Sequence, residues 1–291
     1  MMKLMTSKCM INGIAADHLL ISDRSIHYGD GLFETILCTD NRLYYWQQHY
    51  QRLRTSAARL KIACPDEQTL LQDITELVSS NQAAEHCVIK VVLSRGLGER
   101  GYSYATDISA NRIVLLSVLD AAYSSILSDT MMSGELFICD QQVSINESLA
   151  GMKHLNRLEN VMARNEWDDR KAVFIDGLML NADHEVIEGT MSNLFAIRDG
   201  HVFTPVLDRS GIRGVMRDAI VELAAKHKLP LSEVRLTVED LLLMDELFIT
   251  NSLIGMKRVT KLGDTVYKDF TVTDLIFKAL LVSKEDYVQA V

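Results

Sequence analysis

The apolar residues at the start of the chain alternate with polar ones in short runs, and turn-forming pairs interrupt these runs. The run "CMINGIAAD" has Asn12-Gly13 at its centre, and Asn-Gly between two extended segments is a strong hairpin signal. The run "LFETILCTDNRLYYW" repeats the pattern around Asp40-Asn41. Two hairpins are therefore predicted near the start of the chain.

The hydrophobic period then lengthens to that of a helix. In "WQQHYQRLRTSAARLKIA" apolar side chains recur at steps of 4, 3, 4 and 3 residues, at Trp46, Tyr50, Leu53, Ala57 and Leu60. This spacing places them on one helical face. A second helix is predicted for "DEQTLLQDITELVSS", and buried strands for "HCVIKVVLSRG" and "NRIVLLSVLDA". The first 120 residues therefore read as an α+β unit.

The pattern weakens in "AAYSSILSDTMMSGE", which is rich in small polar residues. We place an interdomain linker at 121–134, between a smaller N-terminal α+β domain at 1–120 and a larger C-terminal domain at 135–291. In the second domain strands are predicted for "ELFICDQQVS", "KAVFIDG", "HEVIEG", "SNLFAIRDGHVFTP", "LSEVRLT" and "DELFITNS". Helices are predicted from Leu155 onward in "LNRLENVMARNEW", and for "RGVMRDAIVELAAKHK" and "VTDLIFKALLVS".

Composition and charge narrow the class of protein. With 48% hydrophobic and 24% charged residues the chain has ordinary globular composition. A net charge of -9 with scattered Lys and Arg argues against a nucleic-acid partner and against a basic membrane patch. The apolar runs are too short to span a bilayer, and the start of the sequence lacks the long apolar segment of a secretory signal. We expect a cytoplasmic protein.

The cysteines do not suggest a metal site. The five of them are widely spaced and form no CxxC pair, so a structural zinc site is not expected. Reduced, partly buried thiols are the expectation. The segment "DGLMLNADHEVIE" also lacks the alternating acids and central glycine of a calcium loop.

Lys153 is the first residue that suggests chemistry. It precedes the predicted helix in "GMKHLNRLENV", where the helix dipole and partial burial would both disfavour its ammonium form. A neutral lysine amine is what Schiff-base chemistry needs. Taken alone, the segment is still more typical of an ordinary surface lysine.

Further segments carry groups suited to an anionic or cationic ligand. In "VIEGTMSNLFAI" the carboxylate of Glu188 stands among predicted strands, where it would pair with a buried cation or remain solvated. In "DRSGIRGVMRDAI" two glycines lead into a helix that begins near Val215, and such a helix start offers N–H groups to an anion. A flexible connection explains these glycines about as well.

Two more segments carry phosphate-binding potential. Ser252 ends the strand in "FITNSLIG" beside Thr250 and Asn251, which suits a phosphate oxygen or a turn. Arg52 in "YQRLRTSA" stands next to apolar helix positions, so it would point inward toward an anion or form a surface ion pair. A lysine, a carboxylate and several phosphate-binding elements are the parts that a phosphorylated aldehyde cofactor requires.

The order and wording of these segments resemble the fold-type IV pyridoxal-phosphate enzymes, which include branched-chain aminotransferases, D-amino acid aminotransferases and aminodeoxychorismate lyases. The resemblance extends from "MINGIAAD" and "SDRSIHYGDGLFETI" to "DELFITNSLIG". Three segments, "GMKHLNRLENV", "SRGLGERGYSY" and "ITNSLIGMKRV", are most similar to the lyases. The branched-chain enzymes carry a tyrosine shortly after the lysine, and here Asn156-Arg157 occupies that region.

The resemblance implies a two-domain α/β homodimer with pyridoxal 5′-phosphate at the interdomain cleft. Lys153 would bind the cofactor aldehyde and then act as general base, and Glu188 would keep the pyridine nitrogen protonated. The phosphate would be bound by Arg52, by the N–H groups of Val215 and Met216, and by the hydroxyl of Ser252.

The lyase reaction would convert 4-amino-4-deoxychorismate to p-aminobenzoate and pyruvate, a step toward folate. Because this substrate carries two carboxylates, we select Arg100, Tyr102 and Arg157 as candidate substrate-binding residues. A rival interpretation is an aminotransferase for D- or branched-chain amino acids on the same fold. A non-catalytic binding protein is also conceivable, and the retained Lys153 and Glu188 argue against it.

Overall fold

The computed structural model describes residues 8–80, 85–167 and 173–291. The chain divides into two compact units. The first unit contains residues 8–121, with two later segments, Lys153–Asn156 and Asp286–Val291. The second unit contains Ala122–Met152 and Arg157–Glu285.

Strands and helices alternate along much of the described chain, as expected for an α/β protein. The strands are β1 (Lys8–Ile11), β2 (Ile14–Ala15), β3 (Gly31–Thr39), β4 (Arg42–Tyr44), β5 (His86–Ser94), β6 (Asn111–Val118), β7 (Met132–Ile138), β8 (Phe174–Leu180), β9 (Val186–Gly189), β10 (Asn193–Arg198), β11 (His201–Pro205), β12 (Leu231–Val234), β13 (Glu246–Asn251), β14 (Gly255–Leu262), β15 (Thr265–Val266) and β16 (Val288–Ala290). The helices are α1 (Arg24–Tyr28), α2 (Trp46–Leu60), α3 (Glu67–Ser79), α4 (Ser125–Ser128), α5 (Leu158–Arg164), α6 (Val215–Lys226), α7 (Val238–Leu242) and α8 (Thr271–Ser283).

The first unit is built on an antiparallel sheet. Among the described residues its strand order is β16-β4-β3-β5-β6-β1-β2. The predicted hairpin at Asn12-Gly13 is confirmed, since both residues have positive φ (54° and 81°), as a two-residue turn between paired strands requires. The predicted helix at 46–60 is also confirmed as α2, and it buries Leu53 and Ala57. The core of this unit therefore lies between the sheet and its helices.

The second unit contains a mixed sheet. Within the described part its order is β12-β11-β10-β13-β14-β7-β8-β9, with β15 paired to β14. Strand β7 runs parallel to both β14 and β8, and β11 runs parallel to β12. A continuous core of Leu, Ile and Val covers the sheet, with members such as Leu194, Leu247, Ile249 and Val259. Helices α6 and α8 pack on each other and on β13.

Several sequence-based limits differ from the observed elements. Strand β7 starts at Met132, within the predicted linker 121–134. Two segments predicted in the C-terminal domain, Lys153–Asn156 and Asp286–Val291, belong to the first unit. One of them, β16, pairs with β4. The domain limits 1–120 and 135–291 stay a prediction. Of "KAVFIDG", Lys171 and Ala172 lie outside the described residues.

The helix predicted from Leu155 is wrong at its start and in its buried face. Helix α5 begins at Leu158, and the side chains of Leu158 and Met162 are 70% and 54% exposed.

In the described ranges, no helix combines the length and apolar character needed to cross a bilayer. All five cysteines are free thiols.

Candidate active site

Lys153 lies on an extended segment that pairs with the start of β3. Its carbonyl accepts a hydrogen bond from the Phe33 N–H (2.9 Å), and the Leu155 N–H donates to the Gly31 carbonyl (3.0 Å). Leu32 and His154 form the antiparallel bridge between them. The expectation that Lys153 stands at a helix N-terminus is therefore wrong, because these backbone bonds require an extended conformation and α5 starts five residues later.

The side chain of Lys153 faces an aromatic ring. Its Nζ lies 4.4 Å from the centroid of the Phe33 ring, and the Nζ of Lys90 lies 5.1 Å from the same centroid. A ring face attracts a cation. Lys153 is thus partly buried, its backbone is held by hydrogen bonds to β3 and its Nζ packs on a ring, whereas the dipole argument for a neutral amine does not apply.

Arg52 on α2 forms a buried ion pair with Glu34 on β3. Its Nε donates to Oε1 (2.8 Å) and its Nη2 to Oε2 (2.5 Å) of this carboxylate. The Nδ1 atom of His49, one helical turn earlier, lies 2.6 Å from Oε2. The inward orientation predicted for Arg52 is borne out by this contact with a buried anion, which is a side chain of the same unit.

Arg52 and His49 favour the ionised form of the buried Glu34 carboxylate. Burial raises the pKa of Glu34, but the charge of Arg52 and the hydrogen bonds from His49 and Arg52 outweigh burial and hold that pKa at about 2. Burial lowers the pKa of His49 below its ordinary value, against the opposing effect of Glu34, and the charge of Lys153 contributes to the lowering. A carboxylate can only accept, so Nδ1 carries the proton of a neutral His49.

Glu188 is a buried carboxylate in β9 of the second unit. It is 3% exposed, and its Oε2 accepts the N–H of Ile212 at 2.8 Å. Ile212 belongs to the glycine-containing segment that leads into α6. The structure therefore places Glu188 directly beside the start of α6, and the expectation of a solvated carboxylate is wrong.

Val215 and Met216 are the first two residues of α6, and both are buried. The helix starts after Gly214, where no side chain caps the first turn. Ser252 lies in the turn between β13 and β14, and Asn251 orders this turn by accepting the N–H groups of Leu253 and Ile254. Because an uncapped helix start presents N–H groups, this end of the sheet suits an anion.

Arg157 immediately precedes α5 and lies within electrostatic reach of Glu188. Burial lowers its pKa below the ordinary value, and the charges of Glu188 and Glu159 oppose this lowering. A partly buried arginine favours an anionic neighbour or ligand. The structure therefore places Arg157 close to Glu188 in the second unit.

Arg100 and Tyr102 belong to an exposed loop of the first unit. The Tyr102 side chain is 86% exposed, and Arg100 is also exposed. Arg24 holds the loop, because its Nη1 donates to the carbonyls of Gly101 and Ser103 and its Nη2 to that of Tyr102. Asp30 in turn accepts from the Nε atoms of Arg24 (2.9 Å) and Arg95 (2.8 Å). These two candidates are thus presented on an ordered loop.

Comparison with known proteins decides the family. Residues 31–262 match the family model described as amino-transferase class IV. The chain belongs to the class IV amino-transferase family. An aminodeoxychorismate lyase of Vibrio harveyi is 35% identical to this class IV protein, over 91% of this chain and 95% of that relative. A D-alanine aminotransferase of Listeria monocytogenes is 25% identical, over 86% of this chain and 84% of its own length.

A solved structure agrees with this assignment. The crystal structure of 4-amino-4-deoxychorismate lyase from Pseudomonas aeruginosa has a TM-score of 0.84 and 34% identity to this class IV chain. The match covers 96% of this chain and 98% of that one. The resemblance drawn from the sequence and the α/β fold class are confirmed. The individual site residues stay predictions, which the observed geometry supports to different degrees.

Sequence reasoning missed the residues that hold the candidate groups in place. Glu34 and His49 orient Arg52, Asp30 and Arg24 hold the loop of Arg100, and Asn193 contacts the segment before α6. Glu34 is a polar residue inside the largely apolar strand pattern "GLFETI", and Asn193 is the polar residue that starts the apolar strand "NLFAI". Polar residues within or at the end of an apolar strand are the sequence signal that would have indicated them.

Proposed function

We propose that this protein is a pyridoxal-phosphate-dependent lyase that converts 4-amino-4-deoxychorismate to p-aminobenzoate and pyruvate. The observation that carries the proposal is the 35% identity to an aminodeoxychorismate lyase over 91% of the chain. The lyase-like segment around Lys153 supports it, because Asn156-Arg157 stands where branched-chain aminotransferases have a tyrosine.

The residues present fit the cofactor. A buried carboxylate, Glu188, is oriented by one N–H group and suits a protonated pyridine nitrogen. The uncapped start of α6 at Val215 and Met216, together with Ser252, suits a phosphate. From the family resemblance we also propose Lys153 and Arg52 as residues that bind pyridoxal 5′-phosphate.

When bound, the cofactor supplies a covalent link to the substrate amine and an electron sink. Lys153 would hold the cofactor first and, once displaced, would take the proton from the substrate carbon that bears the nitrogen. The carbon–oxygen bond to the enolpyruvyl group would then break, and the six-membered ring of the substrate would become aromatic. Lys153 or a water returns a proton to the enolpyruvate, which leaves as pyruvate. The two products together contain all the atoms of the substrate.

Substrate recognition is proposed to involve the two substrate carboxylates. Arg100 and Tyr102 on the ordered loop, and Arg157 beside Glu188, carry the groups suited to bind them. We also propose, from the family resemblance, a cytoplasmic homodimer with two domains at 1–120 and 135–291 joined at 121–134.

An aminotransferase for D-amino acids is the second candidate, and the 25% identity to a D-alanine aminotransferase is the observation that favours it. It would share the role of Lys153 as anchor and base. The two reactions differ in the fate of the proton, which an aminotransferase returns to the cofactor carbon.

A product assay tests the proposal. The purified protein is supplied with 4-amino-4-deoxychorismate, generated in place by a synthase from chorismate and glutamine, and p-aminobenzoate and pyruvate are measured. We expect both products from the intact protein and from Lys90→Ala, which faces the same Phe33 ring, and neither from Lys153→Ala. Transamination of 2-oxoglutarate without these products would replace the lyase with the aminotransferase.

A further inference from the structure

Asn193 is a buried amide at the point where several parts of the second unit meet. It is 6% exposed and is the first residue of β10, where it pairs with Thr250 on β13. Its Nδ2 donates to the carbonyl of Ile212 at 2.9 Å. A side-chain amide that replaces a backbone partner inside a protein fixes the segment it binds, because leaving that carbonyl unsatisfied is costly.

Ile212 is hydrogen-bonded to both Asn193 and Glu188. The Ile212 N–H donates to Oε2 of Glu188, so one residue uses its N–H on the carboxylate and its carbonyl on the amide. Gly151 fixes the same segment from another side, since its N–H donates to the Gly211 carbonyl (2.9 Å) and its carbonyl accepts from the Arg213 N–H (3.1 Å).

Asn193 also touches the start of α6. A Cβ added to Gly214 would lie 1.9 Å from Oδ1 of Asn193, so the amide packs directly on the Cα of the residue that precedes the helix. The φ of Gly214 is −70°, which any residue adopts, so contact and not backbone conformation requires glycine here. The amide therefore contacts both the Glu188 partner and the helix start.

We propose that Asn193 is a positioning residue that couples Glu188 to the N-terminal end of α6 through the backbone of Ile212. This inference rests on the proposed function, in which Glu188 binds the cofactor ring and the start of α6 binds its phosphate. We assign Asn193 a role through Ile212 and the start of α6, without a contact of its own with the cofactor. It keeps the carboxylate and the helix start at one fixed separation, so that a single rigid ligand satisfies both.

A consequence follows that a purely structural residue would not produce. Loss of the Asn193 amide weakens two contributions to the binding of pyridoxal phosphate at once, that of Glu188 and that of the phosphate group. The preference of the apoprotein for pyridoxal phosphate over pyridoxal, which lacks the phosphate, falls as well. Glu188→Gln then raises the Kd for pyridoxal phosphate by a smaller factor in a chain that already lacks the Asn193 donor.

The experiment measures the dissociation constants of pyridoxal phosphate and pyridoxal for the apoprotein by fluorescence. The variants are Asn193→Ala and Asn193→Ser, where serine removes the amide donor but stays polar and adds no charge beside the proposed phosphate site. The control is Asn181→Ala, a fully buried asparagine of the same unit that bonds within its own hairpin, to Glu185. Glu188→Gln is made alone and with each Asn193 change.

We expect both Asn193 variants to raise the Kd for pyridoxal phosphate at least about tenfold, the effect of one lost hydrogen bond to a group that must stay in place. The Kd for pyridoxal rises less, and Asn181→Ala changes neither. Should Asn193→Ala fail to fold, Asn193→Ser decides the question. The inference is overturned if the Asn193 variants bind both compounds as tightly as Asn181→Ala does. It is also overturned if the effects of Glu188→Gln and of the Asn193 changes on the binding free energy are additive. An intact protein that binds no pyridoxal phosphate overturns the proposed function instead.

Discussion

Glu34 and Arg52, eighteen positions apart in the sequence, form a two-bond ion pair inside the first unit, with the carboxylate almost fully buried. His49 adds a third hydrogen bond to the same carboxylate. A buried charge is tolerated only when it is paired and hydrogen-bonded, and here both conditions are met. The pair fixes the orientation of the guanidinium that we assign to the cofactor phosphate.

Breaking this pair from one side is expected to destabilise the first unit. Glu34→Gln leaves Arg52 buried beside a neutral amide, so we expect the free energy of unfolding to fall by about 3 kcal/mol. Asp274→Asn, at the partly exposed pair with Arg258, is the control, and its cost is expected to be about 1 kcal/mol or less. Urea denaturation measures both, and equal losses would contradict the buried-pair argument.

The same carboxylate predicts an acid-sensitive stability. The pKa of Glu34 is about 2 in the folded protein against an ordinary value of 4.5, so its contribution is complete above pH 4.5 and is lost as the pH falls toward 2. The shift corresponds to about 3 kcal/mol at 1.36 kcal/mol per pKa unit. His49 acts in the same direction, because its pKa is lowered on folding and the unfolded chain takes up its proton below pH 6.5.

Urea titrations at intervals between pH 7 and pH 3 test this expectation. The difference in unfolding free energy between the intact protein and Glu34→Gln should shrink as the pH falls below 4.5. A difference that stays constant across this range would show that folding does not lower the pKa of Glu34.

Arg52 is expected to discriminate between cofactor forms. Arg52→Lys keeps a positive charge but loses the planar fork that binds two acceptors at once. We expect the Kd for pyridoxal phosphate to rise about tenfold or more and the Kd for pyridoxal to stay near its original value. Fluorescence titration of the apoprotein measures both, with Arg59→Lys, on the exposed face of α2, as control. An equal change for both compounds would remove Arg52 from the phosphate site.

Gly214 provides a steric test of the contact with Asn193. Gly214→Ala places a Cβ on Oδ1 of Asn193, so we expect it to lower stability by about 1–3 kcal/mol, the usual cost of overpacking. In the double variant Gly214→Ala with Asn193→Ala the clash is gone. Gly214→Ala should then cost little stability beyond that already lost in Asn193→Ala alone, measured by urea denaturation, while the affinity for pyridoxal phosphate stays low.

Arg100 is expected to act on substrate alone. Arg100→Ala should raise the KM for 4-amino-4-deoxychorismate about tenfold or more, since a charge-assisted bond to a carboxylate is lost, and leave the cofactor Kd unchanged. Steady-state kinetics with the exposed Arg59→Ala as control measure this change. An unchanged KM would exclude Arg100 as a carboxylate-binding residue.

The sequence by itself determined the local elements and the family. The hairpin at Asn12-Gly13 and the helix at 46–60 follow from turn chemistry and hydrophobic period, which depend on neighbours a few residues away. The segments around Lys153 and Glu188 indicated the class IV family because their residues and order are distinctive.

Only the tertiary structure decided which residues meet. The segment Lys153–Leu155 is extended because Phe33 and Gly31, far earlier in the chain, hydrogen-bond to its backbone, whereas local periodicity favoured a helix from Leu155 onward. The partner of Arg52 and the role of Asn193 depend likewise on contacts between distant segments. Hydrophobic period records which face of an element is buried. It does not record which buried polar groups satisfy one another, and that pairing is settled only when the elements pack.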